Sequence, residues 1–275
     1  MVTNRVACAA LVVALLVGCA AEPAPPVTEP TAGVVEDGRA ILEELLATYR
    51  AAASYSHICT WSTVTTRAGE REPWSSEEGA ATRFLFERPD RFVVESPESA
   101  IYCDGKTLWT WDRQRDEYVA TPLAEVEPPP FALSGIVELG HPAAAAAHML
   151  LVDGEDRAGE PVEPLFPDGG TYTVVEEVRH GLDGRWVQVA ARSSAIPRIS
   201  LWIDDDTGLV LAWEMTMSSV SRMTNDEGAL ERFDTRLSIT CREVELDPDI
   251  PDEAFRFRPD AEAREVDRAP TPGLG

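Results

Sequence analysis

From residue 57 onward the chain breaks into short segments in which apolar and polar residues alternate, with turn-forming residues between them. His57 to Arg67, Ala80 to Glu87, Arg91 to Glu95, Ala100 to Cys103, Thr107 to Asp112 and Glu117 to Thr121 read as strands. Arg88-Pro89-Asp90, Ser96-Pro97-Glu98, Asp104-Gly105-Lys106 and the polar stretch 113–116 supply the turns between them. A second set follows: Thr171 to Arg179, Arg185 to Arg192, Arg198 to Asp204, Leu209 to Ser218 and Glu231 to Val244. Here Gly181-Leu182-Asp183-Gly184 and Asp204-Asp205-Asp206-Thr207-Gly208 read as hairpin turns. Turns this closely spaced build an antiparallel meander, so about eleven strands are expected, in one domain spanning 34–267.

Before the strands, Ile41, Leu42, Leu45, Leu46 and Tyr49 recur at helical spacing between Val34 and Ala53, which predicts an amphipathic helix. Acidic Glu36 and Asp37 lie at its start and Arg50 near its end, as the helix dipole favours. The stretch 123–170 behaves differently. Pro128-Pro129-Pro130 breaks the pattern, an alanine run follows Pro142, and Phe131, Leu133, Ile136, Val137, Leu139, Met149, Leu150 and Leu151 are apolar. We expect a packed helical lid there, the alternative being a disordered bridge. Residues 268–275 are expected to form a disordered tail.

Period two also assigns faces. Phe84 and Phe86 share one, as do Phe92 and Val94, Trp109 and Trp111, Val187 and Val189, Leu201 and Ile203, and Leu237 and Ile239, with charged residues such as Arg83, Glu87, Arg91 and Glu95 opposite. The strongest signal is Leu209 to Met217, whose odd positions are Leu209, Leu211, Trp213, Met215 and Met217. Flexible, polarizable thioethers suit a surface that accepts chains of varying shape, and they also serve as gap-fillers in a fixed core. One helix and a lid cover too little of such a sheet, so an incompletely filled apolar concavity is expected. Its candidate ligand-binding residues are Phe84, Phe86, Phe92, Trp109, Trp111, Leu201, Ile203, Leu211, Trp213, Met215 and Met217.

The N-terminus carries its own instruction. Arg5 precedes an apolar run from Val6 to Gly18 that is too short to span a bilayer and reads as a secretory signal over 1–18. Leu16-Val17-Gly18-Cys19 resembles the lipobox of bacterial lipoproteins, which makes Cys19 the lipidated first residue of the mature chain; cleavage after Cys19-Ala20-Ala21 is the alternative. Pro23, Pro25, Pro26 and Pro30 then make 19–33 an extended tether. Membrane attachment is thus expected through acyl chains. The net charge of −24 excludes nucleic acid and an electrostatic hold on anionic lipid. Ala20 is not the Asp that retains some lipoproteins at the inner membrane. The outer membrane is therefore favoured over the inner, with the domain facing the periplasm or the cell exterior.

No Gly-x-Ser-x-Gly, His-Glu-x-x-His, phosphate loop or Gly-x-Gly-x-x-Gly occurs, and no histidine stands in a ligand spacing. The expectation is a binding protein with no catalytic residue, metal or cofactor. With Cys8 in the signal and Cys19 lipidated, Cys59, Cys103 and Cys241 remain. In a meander whose last strand returns beside its first, Cys59 and Cys241 fall on neighbouring strands while Cys103 sits about three strands away. A Cys59 to Cys241 disulfide is expected, three buried thiols being the alternative.

Five stretches taken in order carry a resemblance: 41–56, Phe84 to Phe92, Cys103 to Trp111, Leu201 to Leu209 and Ile250 to Pro259. Together they resemble the periplasmic lipoprotein-carrier superfamily, of the LolA/LolB, lipoprotein-sorting-protein-like and RseB-like types. The resemblance implies a mainly β fold, a curved antiparallel incomplete barrel with helical cover, whose concave face takes lipid or lipoprotein acyl chains for sorting or transfer. Its RseB-like branch implies instead a sensor or interaction module with an envelope protein partner. Free carriers in the family are not themselves lipidated, so Cys19 points to an anchored member.

Overall fold

The computed structural model describes residues 37–67, 70, 72–125, 147, 150–151, 171–190, 198–224 and 230–267. The expected signal, lipidated Cys19, tether, C-terminal tail and most of the lid insert lie outside these residues.

One helix, α1 (Gly38–Ala51), precedes twelve strands: β1 (Ser54–Arg67), β2 (Pro73–Glu87), β3 (Arg91–Glu95), β4 (Ser99–Asp104), β5 (Thr107–Asp112), β6 (Glu117–Pro122), β7 (Thr171–Arg179), β8 (Leu182–Ala190), β9 (Arg198–Asp204), β10 (Val210–Thr224), β11 (Leu230–Leu246) and β12 (Arg264–Glu265). Asp37 starts α1 by accepting from the backbone N–H of Arg39 and Ala40. At the other end the Arg88 guanidinium donates to the carbonyls of Arg50 and Ala52, whose acceptors have no partner within the helix. The turn between β7 and β8 is His180-Gly181, both with positive φ (54° and 83°), so it falls ahead of the expected Gly181 to Gly184 and leaves Gly184 inside a strand.

All twelve strands form a single sheet in the order β12-β6-β5-β4-β3-β2-β1-β11-β10-β9-β8-β7. It is open, ending on β12 and β7, and does not close into a barrel. The last long strand does return beside the first. The β1–β11 ladder is therefore the seam that joins β1–β6 to β7–β11, and there Cys59 stands opposite Cys241 and is bonded to it (S–S 2.17 Å).

Curvature follows from what the strands share. In a flat sheet β5 and β8, eight spacings apart in the order, would be separated by roughly 38 Å. Yet Leu108 of β5 and Val187 of β8 belong to one core with Leu42, Leu45, Leu46 and Tyr49 of α1, a helix only about 10–12 Å across. The sheet therefore curls around α1, and its concave side is the face that the helix covers. Of the expected lid, Leu123–Glu125 form a 3₁₀ turn, and Ala147, Leu150 and Leu151 are helical and buried in the same core.

The convex side is not uniformly wet. The C-terminal segment lays Phe255 onto Leu85 and Val93, and Phe257 sits among the rings of Tyr102, Trp109, Trp111 and Tyr118. Arg91 stacks over Phe255 and pairs with Asp252, tying the segment to β3. Beyond the seam, Trp186, Trp202 and Ala212 make a smaller convex cluster with Leu211.

Candidate functional site

The concave face is built in rows that the ladder registers set. One runs Ile239, Trp213, Leu201, Val187 across β11, β10, β9 and β8; the next runs Leu237, Met215, Ile199, Val189. On the N-terminal side Phe84 and Phe86 of β2 face Val94 and Phe92 of β3, which face Ile101 and Cys103 of β4. Burial divides these positions. Phe84, Phe86, Phe92, Leu201, Ile203 and Trp213 lie inside the core under α1, whereas Met215 and Leu237 are only partly buried at its margin. Met217, one step further along β10, is half-buried.

Three of the expected ligand-binding residues lie elsewhere. Trp109 and Trp111 point to the convex side and pack on Phe257, while Leu108, the residue between turn and tryptophan, takes the concave position. Leu108 stands alone among Thr110 and Asp112 on its face, so alternation points to the tryptophan face as inward, and it is the C-terminal segment covering the convex side that reverses the assignment. Leu211 is displaced by a bulge: Val210 pairs with Ile203 and Ala212 with Trp202, so Leu211 is skipped and joins the convex Trp186–Trp202 cluster. Val210 takes its place in the core.

At the centre of the concave face the sequence reading passed over a polar group. Tyr55, His57 and Cys59 alternate along β1 onto the core side. His57 stacks on Phe84 (centroids 5.3 Å apart), meets Tyr55 edge-on, and shares a hydrogen bond between Nδ1 and the Tyr55 hydroxyl at 2.9 Å. Burial pushes His57 down to about 3, which keeps the ring neutral, and pushes Tyr55 well above the usual phenol range. Tyr49 of α1 accepts from the Val210 N–H at 2.9 Å, and burial lifts its hydroxyl to about 12. The period-two run Tyr55-x-His57-x-Cys59 was the available sign of this cluster.

Two cavities lie outside the helix-covered core. One of about 210 Å³ is lined by Ser56, His57, Ile58, Arg83, Leu85, Glu243 and Glu245, where the β1–β11 register slips between Ser56 and Ile58 and Glu243 adopts a φ of 52°. The other, of about 420 Å³, is a convex groove between Val175, Glu177, Arg179, Trp186, Gln188, Ser200 and Glu214. There Glu177 accepts from the Trp186 indole and Arg179 stacks over the ring at 5.4 Å, so the tryptophan face is already covered.

No family model and no curated protein matches the sequence. Similar solved structures include a LolA superfamily protein from Nitrosomonas europaea, 13% identical, covering 80% of this chain and 97% of that one at a TM-score of 0.28. Others are a MucA/MucB complex from Pseudomonas aeruginosa (14% identical, 81% of this chain and 62% of that one, TM-score 0.32) and an outer membrane lipoprotein-sorting protein domain from Vibrio parahaemolyticus (10% identical, 78% and 94%, TM-score 0.28). These structures are of the superfamily that the sequence motifs resemble. At such identities and TM-scores the likeness extends to neither ligand nor partner.

Proposed function

We propose that the protein is a cell-envelope lipoprotein, anchored through Cys19, whose concave sheet face receives the acyl chains of a lipid or lipoprotein. The observation that carries this reading is the margin of the core. The pair Leu237–Met215 borders the buried Ile239, Trp213 and Ile199 yet is only partly covered, and Trp61, Tyr172 and Leu209 fringe the same core in the same half-covered state. An apolar strip that continues beyond the covering helix is a surface to which a flexible hydrocarbon adds buried area, at about 25 cal/mol per Å². The placement outside the cytoplasm draws on the 1–18 signal and on the Cys59–Cys241 bridge, a bond that persists in oxidising compartments.

The test is binding of a fluorescent fatty-acid probe to the purified protein, with folding of each variant checked by circular dichroism. Met215→Asp, at the half-buried margin, should weaken probe binding at least tenfold. Glu214→Ala, which points into the convex groove, should leave it within twofold. A wild-type protein that binds no probe and purifies free of lipid refutes the reading. Membrane release on Cys19→Ser is the separate test of the anchor, and unchanged membrane fractionation would refute that part alone.

A further inference from the structure

We propose that, once its disulfide is reduced, the protein holds a thiophilic metal ion of the zinc type between Cys59, Cys241 and His57 at the seam of the sheet. The Sγ atoms of the two cysteines and a ring nitrogen of His57 all lie within 4.8 Å of one another. A tetrahedral zinc centre, with Zn–S near 2.3 Å and Zn–N near 2.0 Å, separates such ligand atoms by about 3.5–3.8 Å, so modest side-chain adjustment brings the three into place. The residues are 0%, 7% and 2% exposed respectively, so an ion held there would be buried with them.

Two further observations point to a ligand. The Nε2 atom of His57 is buried and has no hydrogen-bond partner among the described residues, a costly condition for a polar atom in a core. Its Nδ1 is held by the Tyr55 hydroxyl, which fixes the ring as outer partners fix metal-binding imidazoles elsewhere.

Charge decides the redox state in which the ion is held. A disulfide offers no thiolate. A dithiol reductant transfers two electrons to the S–S bond and becomes a disulfide itself, while Cys59 and Cys241 take up two protons as thiols. The incoming dication displaces those two protons, leaving two thiolates, a neutral imidazole and a centre of zero net charge that the core can bury. Three protein ligands leave the fourth position to a water molecule. The seam is thereby crosslinked in both states, covalently when oxidised and through the metal when reduced.

The test is titration of the full-length protein with Co(II), anaerobically, after reduction and removal of the reductant, followed by displacement with Zn(II). The reduced wild type should bind one equivalent with a thiolate-to-cobalt absorption band, and Zn(II) should bleach it; the oxidised protein should show no such band. Cys59→Ser should lose the band, and His57→Ala should bind at least tenfold more weakly. Should His57→Ala fail to fold, His57→Gln replaces it, and native mass spectrometry of the reduced wild type with Zn(II) reads stoichiometry without any variant. Absence of a Co(II) or Zn(II) complex in the reduced wild type overturns the proposal. So does binding that survives His57→Ala unchanged, that depends on Cys103, or that occurs only in protein whose circular dichroism shows it unfolded.

Discussion

Tyr49→Phe removes a polar contact that fastens α1 to the C-terminal half of the sheet. The ring is fully buried and Phe keeps its shape, so no cavity forms and packing within the helix face is retained. What disappears is the acceptor for the Val210 N–H, in a strand that begins at that residue and bulges at the next. Val210 is 1% exposed, so the cost is that of an unsatisfied buried donor, about 1–3 kcal/mol. With a urea m-value near 3 kcal/mol/M for a domain of this size, a loss of 2 kcal/mol lowers the unfolding midpoint by about 0.7 M at unchanged slope. Amide exchange supplies the local reading: Val210 should lose protection in the variant by more than the residues of β3 and β4 do. A midpoint shift below about 0.2 M, or equal loss of protection across both halves, would show that the hydroxyl does not fasten the helix to β10.

Replacing both bridged cysteines in Cys59→Ala/Cys241→Ala frees a loop closed over 182 positions, for which chain entropy gives a ceiling of about 5 kcal/mol; denaturant unfolding should show a loss of 2–5 kcal/mol, and under 1 kcal/mol would mean the ladder alone holds the seam. Gly184→Ala places a Cβ 2.5 Å from the Ile203 carbonyl oxygen, a backbone atom that yields only if β8 and β9 spread, so calorimetry should record a loss of about 1–3 kcal/mol, and an unchanged Tm would contradict the close approach. Phe257→Ala empties the ring formed by Tyr102, Trp109, Trp111 and Tyr118, which should redden tryptophan emission and lower stability by about 1–3 kcal/mol; an unaltered spectrum would mean that the segment does not seal those indoles.

The eleven expected strands are present, and in most of them one face is buried against a core, which is what writes period two into a sequence. Where burial lapses the signal lapses with it. The first half of β2, Pro73 to Gly79, is exposed on almost every side chain and so reads as polar loop, yet it pairs with β1 through Thr66. Its place in the sheet is set by the partner strand, with Gly79 admitting the Trp61 indole into space that a Cβ would occupy. The two-residue β12 is invisible for a different reason: its parallel pairing to β6 depends on where the chain returns after residue 246, which no local pattern records.

The candidate site was legible only as far as face assignment was. Alternation states that two side chains share a face but not which face that is, and this protein puts aromatics on both. Phe84 and Phe86 turn in beneath α1, while Trp109 and Trp111, two strands beyond β3, turn out beneath a C-terminal segment that carries its own Phe255 and Phe257. A sheet covered on one side by a helix and on the other by a strap needs apolar residues on both, so hydrophobicity could not distinguish ligand surface from strap surface. The bulge at Leu211 adds the second limit, since one skipped residue breaks the alternation and leaves Val210, not Leu211, facing inward. What distinguishes the remaining positions is partial cover. Trp213 is already committed to the core, whereas Met215 and Leu237 meet it without being closed over, and a ligand adds most where the protein's own packing stops.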